Sequence, residues 1–325
     1  MSEEMARAAA ALSGAREVAL ACHVNPDPDA LGSMLGLSNH LRSRGVSTVC
    51  SFGNDPFLPP RWLERLPGAE ALVPPSTFPP APGLMVTCDT ASLDRLGVLV
   101  PSARAATELI WIDHHASNEG LGTIPLIDPT ASSTAEMVVR LIRAMGDGMP
   151  DEAAVCLYAG LITDTGRFQY QAVRPDTLRL AADLREHPFD HAALSQALYE
   201  DNRADYLRLL GALLQRLVLE PELDLVWTYL TRSDLAEAGV EAADADDLID
   251  VLRTAREADI AAVIKQQHDG RFKVSLRSRG GHDVASVAAR FGGGGHRLAA
   301  GYTSRHGLAL TMDELRSALR DASGG

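Results

Sequence analysis

The chain is poor in aromatic residues, lacks paired cysteines and carries no excess of basic charge. Only 5% of its 325 residues are Phe, Trp or Tyr, too few for the successive base-stacking platforms of a single-strand channel. Its four cysteines, Cys22, Cys50, Cys88 and Cys156, include no Cys-x-x-Cys pair. A thiolate zinc site is therefore not expected, and reduced thiols filling small core positions are. A formal net charge of −13 argues against wrapping a long duplex, because phosphate neutralisation dominates that kind of affinity. No apolar run approaches the roughly 20 residues that span a bilayer. Glu3 and Glu4 stand where a secretory signal has basic residues. A cytoplasmic protein without a membrane partner is the expectation.

What is present reads as ordinary globular composition, 46% hydrophobic and 22% charged, over a length that suits two domains. Short apolar runs alternate with helical patterns. Residues 17–23 read as a buried strand, and 29–44 as a helix through Leu31, Met34, Leu35, Leu37 and Leu41. Residues 47–52, 84–88 and 109–112 read as further strands, with the Pro-rich 73–83 as a surface loop. Ser133-Thr134-Ala135-Glu136 has capping-box spacing and predicts a helix to about Met145, followed by another over 151–163. From Pro175 to about Glu220 the pattern is almost wholly helical. A strand over 223–230, a hairpin around Asp269-Gly270 and a short helix over 283–291 follow. The fold class is α/β: a parallel sheet flanked by helices, then a smaller α/β domain.

Four places end an apolar run with carboxylate or imidazole. They are His23-Val24-Asn25-Pro26-Asp27-Pro28-Asp29, Cys88-Asp89-Thr90, Asp113-His114-His115 and Thr163-Asp164-Thr165-Gly166. Taken singly, each has a plain alternative: a turn with an Asp helix cap, a turn acid, a solvated loop or a helix-end acid. Ligands of parallel α/β sheets gather at the carboxyl ends of strands, and His23, Asp89 and Asp113 to His115 fall there. Jointly they point to a dinuclear site for hard or borderline divalent cations. Residues 265–305 carry eight Lys/Arg against two Asp, a local basic patch suited to a small anion. Phe291 and Tyr302 are candidates for stacking a single base or for the core.

The motifs His-x-Asn-Pro-Asp-x-Asp-Ala-x-Gly-Ser, a lone Asp after a strand, Asp-His-His and Thr-Asp-Thr-Gly, in that order, resemble the DHH phosphoesterase superfamily. That superfamily includes RecJ-type nucleases and family II inorganic pyrophosphatases. Arg277-Ser278-Arg279, then Gly292 to His296 and Ala300-Gly301, are similar to its associated C-terminal domain, and the nano-RNase/pAp phosphatase subgroup matches best. The resemblance implies a DHH catalytic domain over 1–188, a helical connector over 189–220 and a substrate-binding domain over 221–325. It implies one ion on His23, Asp27 and Asp89, and a second on Asp29, Asp89, His114 and Asp164, with Asp89 bridging. Asp113 would orient an imidazole, and His115 would face the scissile phosphate. Arg277, Arg279, Gly293, Gly294, Gly295 and His296 would hold the substrate.

The resemblance further implies two Mn2+ ions, with Mg2+ or Co2+ as alternatives, and a homodimer. The expected reaction is hydrolysis of very short RNA such as pApA to mononucleotides, and of pAp to AMP. A cyclic di-AMP phosphodiesterase is the alternative reading, ahead of an inorganic pyrophosphatase or a non-catalytic nucleotide receptor.

Overall fold

The computed structural model describes residues 2–118, 120–146, 148–241, 245 and 248–323. They fall into two compact units, Met1–Asp201 and Asn202–Gly325.

The first unit is built on five parallel strands: β1 (Glu17–Cys22), β2 (Ser47–Phe52), β3 (Leu84–Cys88), β4 (Glu108–Asp113) and β5 (Ile124–Ile127), in the order β2-β1-β3-β4-β5. Register aligns Cys22 with Cys88 and Cys88 with Ile112. The next residue of each chain, His23, Asp89 and Asp113, therefore emerges in one row at the sheet's carboxyl edge. Because side chains alternate along a strand, both faces are apolar. Val18, Leu20, Val86, Ile110 and Ile112 face one core. Ala19, Ala21, Met85, Leu109 and Trp111 face the other, under Leu96, Leu99 and Ala103. The helices of this unit are α1 (Glu3–Gly14), α2 (Pro28–Ser43), α3 (Val100–Ala105), α4 (Thr134–Ala144), α5 (Asp151–Asp164), α6 (Pro175–Arg185) and α7 (His191–Tyr199). All four cysteines are free and buried, as the sequence suggests.

Helix α2 is buried from Asp29 to Leu41, so it is a core helix rather than an amphipathic surface one. Two glycines one turn apart let α5 approach it. A Cβ on Gly32 would lie 2.4 Å from the Cys156 carbonyl oxygen, and one on Gly36 would lie 2.6 Å from Leu157 Cγ. Backbone cannot step aside as a flexible side chain can. Gly32→Ala is expected to cost about 1–3 kcal/mol by overpacking, read as a melting temperature several degrees lower. An unchanged or raised melting temperature would show that the seam is not tight.

The start of α4 departs from the predicted capping box. Ser133 Oγ does accept from the Glu136 N–H at 3.1 Å. The Glu136 carboxylate, however, turns to Ser132, accepting from its N–H (2.9 Å) and hydroxyl (2.5 Å), and pairs with Arg140 and Arg174. Burial opposes its charge, but Ser132 and the two guanidinium groups outweigh burial and hold Glu136 below the usual carboxylate range. The unfolded chain thus binds this proton first as pH falls, and stability is lost below about pH 4.5, through the depressed folded value. Glu136→Gln is expected to flatten the acid limb of melting temperature against pH between about 5 and 3. Parallel limbs for the two proteins would contradict this.

The second unit has six strands: β6 (Val218–Glu220), β7 (Leu225–Leu230), β8 (Ile260–Gln266), β9 (Phe272–Ser278), β10 (Gly294–His296) and β11 (Ala299–Ser304), in the order β10-β11-β9-β8-β7-β6. Among the described residues only β7 and β8 of this sheet pair in parallel. Its helices are α8 (Ala204–Gln215), α9 (Arg232–Ala238), α10 (Leu248–Leu252), α11 (Val284–Ala289) and α12 (Leu308–Ser323). The hairpin around Asp269-Gly270 forms, with Gly270 at φ +84°. Two details differ from the sequence expectation. Val218–Glu220 is an edge strand rather than helix. The helices expected as a connector divide between the units: Leu194 of α7 joins the first core, while Tyr206, Leu209 and Leu213 of α8 pack with Leu230, Val240 and Leu248. Among the described residues no helix is long and apolar enough to cross a membrane.

Candidate metal centre

The carboxyl edge of the first sheet gathers eight acidic and imidazole side chains. Asp27 caps α2, its Oδ1 accepting from the Ala30 N–H at 2.9 Å, with Pro28 at the first helical position. That leaves Asp27 Oδ2 3.7 Å from His23 Nε2. The His23 loop is fastened to the end of β2 by a reciprocal amide pair: the Asn25 N–H donates to Asn54 Oδ1 (2.8 Å), and Asn54 Nδ2 donates to Asn25 Oδ1 (2.7 Å). His23 Nδ1 lies 2.8 Å from the Val24 carbonyl, so Nε2 is the nitrogen presented to the carboxylates.

Asp89 is central. It sits at φ +54°, in the left-handed region that a short polar side chain tolerates best. Its Oδ2 is 3.5 Å from His23 Nε2, and its Oδ1 is 3.7 Å from both His114 Nε2 and His115 Nδ1. The two oxygens therefore serve different neighbours. On the Oδ1 side, Asp164 Oδ2 is 3.2 Å from His114 Nε2. His114 Nδ1 is turned to the Ala131 carbonyl at 3.3 Å. Asp29 completes this side. Donor atoms of His23, Asp27 and Asp89 lie within 4.8 Å of one another, as do those of Asp29, Asp89 and His114, and of Asp89, Asp113 and His115. Asp89 belongs to all three groups.

Asp113 and His115 pair closely beside Asp89. His115 Nδ1 is 2.7 Å from Asp113 Oδ1, while Asn118 Nδ2 donates to Asp113 Oδ2 at 2.7 Å and to the Thr90 carbonyl at 3.1 Å. Nδ1–H of His115 thus donates to a carboxylate that is itself clamped, which fixes the ring's orientation.

The electrostatics show a cluster short of positive charge. Burial works against a charged His23, yet its contacts with Asp27 and Asp89 push it up to about 10. Burial likewise opposes charge on His114 and His115, and Asp89 and Asp113 respectively lead the carboxylates that raise both above the usual imidazole range. Burial would raise Asp89, but His23, His115 and His114 reverse this and hold it low. Asp29 and Asp164 are pushed up by burial and then by the charge of Asp89. Protons on the imidazoles, with the Arg95 guanidinium 3.2 Å from His23 Nδ1, are the positive charge that the chain brings to the cluster. Divalent cations fit the same need, and this oxygen-rich, thiolate-free donor set suits hard or borderline ions. Their uptake would displace protons.

The residues expected to bind substrate all lie in the second unit. Arg277 Nε is 3.7 Å from Asp250 Oδ1, and Arg279 Nη1 donates to the Ala255 carbonyl at 3.1 Å. Gly294, Gly295 and His296 form β10, opposite Gly301, Ala300 and Ala299 of β11. A Cβ on Gly293 or Gly295 would fall 2.2 or 2.4 Å from a β11 carbonyl oxygen, so close strand approach explains those two glycines; Gly294 faces open space. The basic patch is thinner than its count suggests. Lys265 is buried, Arg271 pairs with Asp269, and Arg290 pairs with Asp321. Phe291 and Tyr302 stack on one another at 4.5 Å, with Tyr302 buried.

Asn118 and Thr134 were not singled out as site residues by the sequence. An Asn three residues after the second histidine was the available signal for the first. Thr134 was visible only as part of a helix start.

Residues 17–161 match the DHH family, N-terminal domain, and residues 225–323 match the DHHA1 domain. The chain is 34% identical over 292 residues to the bifunctional oligoribonuclease and PAP phosphatase NrnA of Thermus thermophilus, covering 90% of this chain and 85% of that one. It is 27% identical over 314 residues to the cyclic-di-AMP phosphodiesterase GdpP of Geobacillus thermodenitrificans, covering 92% of this chain and 46% of that one. A crystal structure of an exopolyphosphatase-related protein from Bacteroides fragilis superposes with a TM-score of 0.89 at 24% identity, over 98% of this chain and 96% of that one, a likeness of fold. With its strand-end carboxylates and imidazoles gathered around Asp89, the chain belongs to the DHH family and carries a DHHA1 domain.

Proposed function

We propose that this chain is a divalent-metal-dependent phosphoesterase that hydrolyses very short RNA such as pApA to mononucleotides and converts pAp to AMP. The observation that carries this reading is the placement of Asp89, whose two oxygens face different ligand groups. His23, Asp27 and Asp89 would hold one ion; Asp29, Asp89, His114 and Asp164 would hold the other. Two divalent cations bound there would supply an activated water at neutral pH and neutralise charge on the attacked phosphoryl group. Asp113, clamped by Asn118, fixes the tautomer of His115, whose Nε2 delivers a proton to the departing oxygen. Arg277, Arg279 and the Gly293–His296 segment would receive the substrate's far end, a guanidinium suiting either a phosphate or a base. Low aromatic content and the net charge of −13 support a substrate of a few nucleotides over a long strand. The donor set supports manganese, with magnesium or cobalt as substitutes. The family resemblance supports a cytoplasmic homodimer, which light scattering on the purified chain tests.

Turnover of pApA, pAp and cyclic di-AMP, compared side by side with Mn2+, tests the substrate assignment. Fast pApA and pAp hydrolysis with slow cyclic di-AMP hydrolysis is expected. The similarity to GdpP supports a second reading, and cyclic di-AMP turnover equal to or faster than that of pApA would establish it. Metal removal by chelation should abolish all three activities and Mn2+ should restore them; activity surviving chelation would rule out the metal-dependent mechanism.

A further inference from the structure

Helix α4 contributes no ligand to either proposed ion, yet its first turn touches an acidic residue of each ligand group. Thr134, the first residue of α4, is fully buried. Its hydroxyl donates to Asp89 Oδ1 at 2.9 Å, and its backbone N–H donates to Asp29 Oδ2 at 2.7 Å. The next backbone N–H, that of Ala135, donates to Asp29 Oδ1 at 2.9 Å. Both Asp29 oxygens and one Asp89 oxygen are thus fixed by two consecutive residues that lie 45 to 106 positions away in sequence. Helix α4 is itself anchored at this end by the Ser133 cap and by Glu136 on Ser132.

The consequences for the two groups differ. Asp89 Oδ2, on the His23 and Asp27 side, has no hydrogen bond from Thr134; Oδ1, on the Asp29 and His114 side, has one. A carboxylate that bridges two ions must hold one rotation about its terminal bond, because turning it points one oxygen away from its ion. A hydroxyl hydrogen bond on a single oxygen sets that rotation. We propose that Thr134 is a positioning residue for the bridging carboxylate: its hydroxyl fixes the rotation of Asp89 and so sets the affinity of the Asp29–Asp89–His114–Asp164 site for its cation. The inference rests on the two-ion reading above.

The test is Mn2+ binding to the full chain, followed by calorimetry and by electron paramagnetic resonance, for wild type, Thr134→Val, Thr134→Ala and Thr134→Ser. Valine and alanine keep the backbone N–H to Asp29 and remove only the hydroxyl. Loss of an outer hydrogen-bond partner typically costs about 10–100-fold in metal affinity. Wild type is expected to bind two ions with the exchange-coupled signal of a close pair. Thr134→Val and Thr134→Ala should lose about tenfold or more at one site while the other stays close to wild type. The coupled signal should then weaken at sub-saturating Mn2+, and Thr134→Ser should restore both. Unchanged affinities in both hydroxyl-free variants would overturn the inference and leave the two-ion reading standing. So would a serine variant as weak as valine, since the methyl group would then be what matters. A wild-type chain binding fewer than two ions would overturn the two-ion reading, and the role of Thr134 with it. Melting of the metal-free proteins identifies a variant that fails to fold, and alanine then stands in for valine.

Discussion

Replacing Asp89 with Asn should reduce turnover by about a thousandfold or more at saturating Mn2+, and Asp89→Ala should do at least as much. Loss of several kcal/mol of charge stabilisation at a bridged pair of cations, at 1.36 kcal/mol per tenfold, gives about that factor. The geometry explains why this carboxylate matters more than its neighbours. Asp27 spends one oxygen on capping α2, and Asp164 meets only the His114 side, whereas Asp89 reaches His23 with one oxygen and His114 with the other. An amide replaces one of those oxygens with a donor that cannot ligate a cation. Asn also tolerates the left-handed backbone at this position, so the Asn variant should melt near wild type and isolate the electrostatic loss. An Asn variant retaining a tenth of wild-type turnover would show that Asp89 does not bridge.

His115→Ala should lower turnover of pApA by about 10²–10⁴-fold, the usual range for a lost general acid, while leaving Mn2+ affinity nearly intact. The prediction follows from the pairing of His115 with Asp113, itself held by Asn118, which orients the ring beside the proposed ion ligands. It carries its own control. A nucleotide p-nitrophenyl ester leaves without protonation, so the deficit on that ester should shrink to within about tenfold. Equal losses on both substrates would mean that His115 serves metal binding or substrate placement instead.

The cluster of carboxylates and imidazoles was legible in the sequence because each of its motifs directly follows an apolar run or closes a helix. Cys22 gives way to His23, Cys88 to Asp89 and Ile112 to Asp113, and parallel register then brings these ends level. The supporting contacts were not legible, because they depend on approaches across the fold. Thr134 meets Asp29 over a separation of 105 residues, and no local pattern encodes that meeting. Glu136 has capping-box spacing, but two arginines and Ser132 compete for its carboxylate more strongly than the Ser133 N–H does. The tight α2–α5 seam was written in Gly32 and Gly36, yet a pattern of leucines draws attention first. In the second unit, a count of basic residues overstated the patch because sequence does not tell which cations are buried or already paired. Strand β6 has only three residues, too short for alternation to reveal it.

The most direct test of the account is a crystal structure of the chain grown with Mn2+, with anomalous scattering used to locate the metal. Two strong peaks are expected, one among His23, Asp27 and Asp89, the other among Asp29, Asp89, His114 and Asp164, with an oxygen of Asp89 at each. A single peak, or two peaks of which only one touches Asp89, would contradict the bridged dinuclear centre on which the proposed chemistry depends.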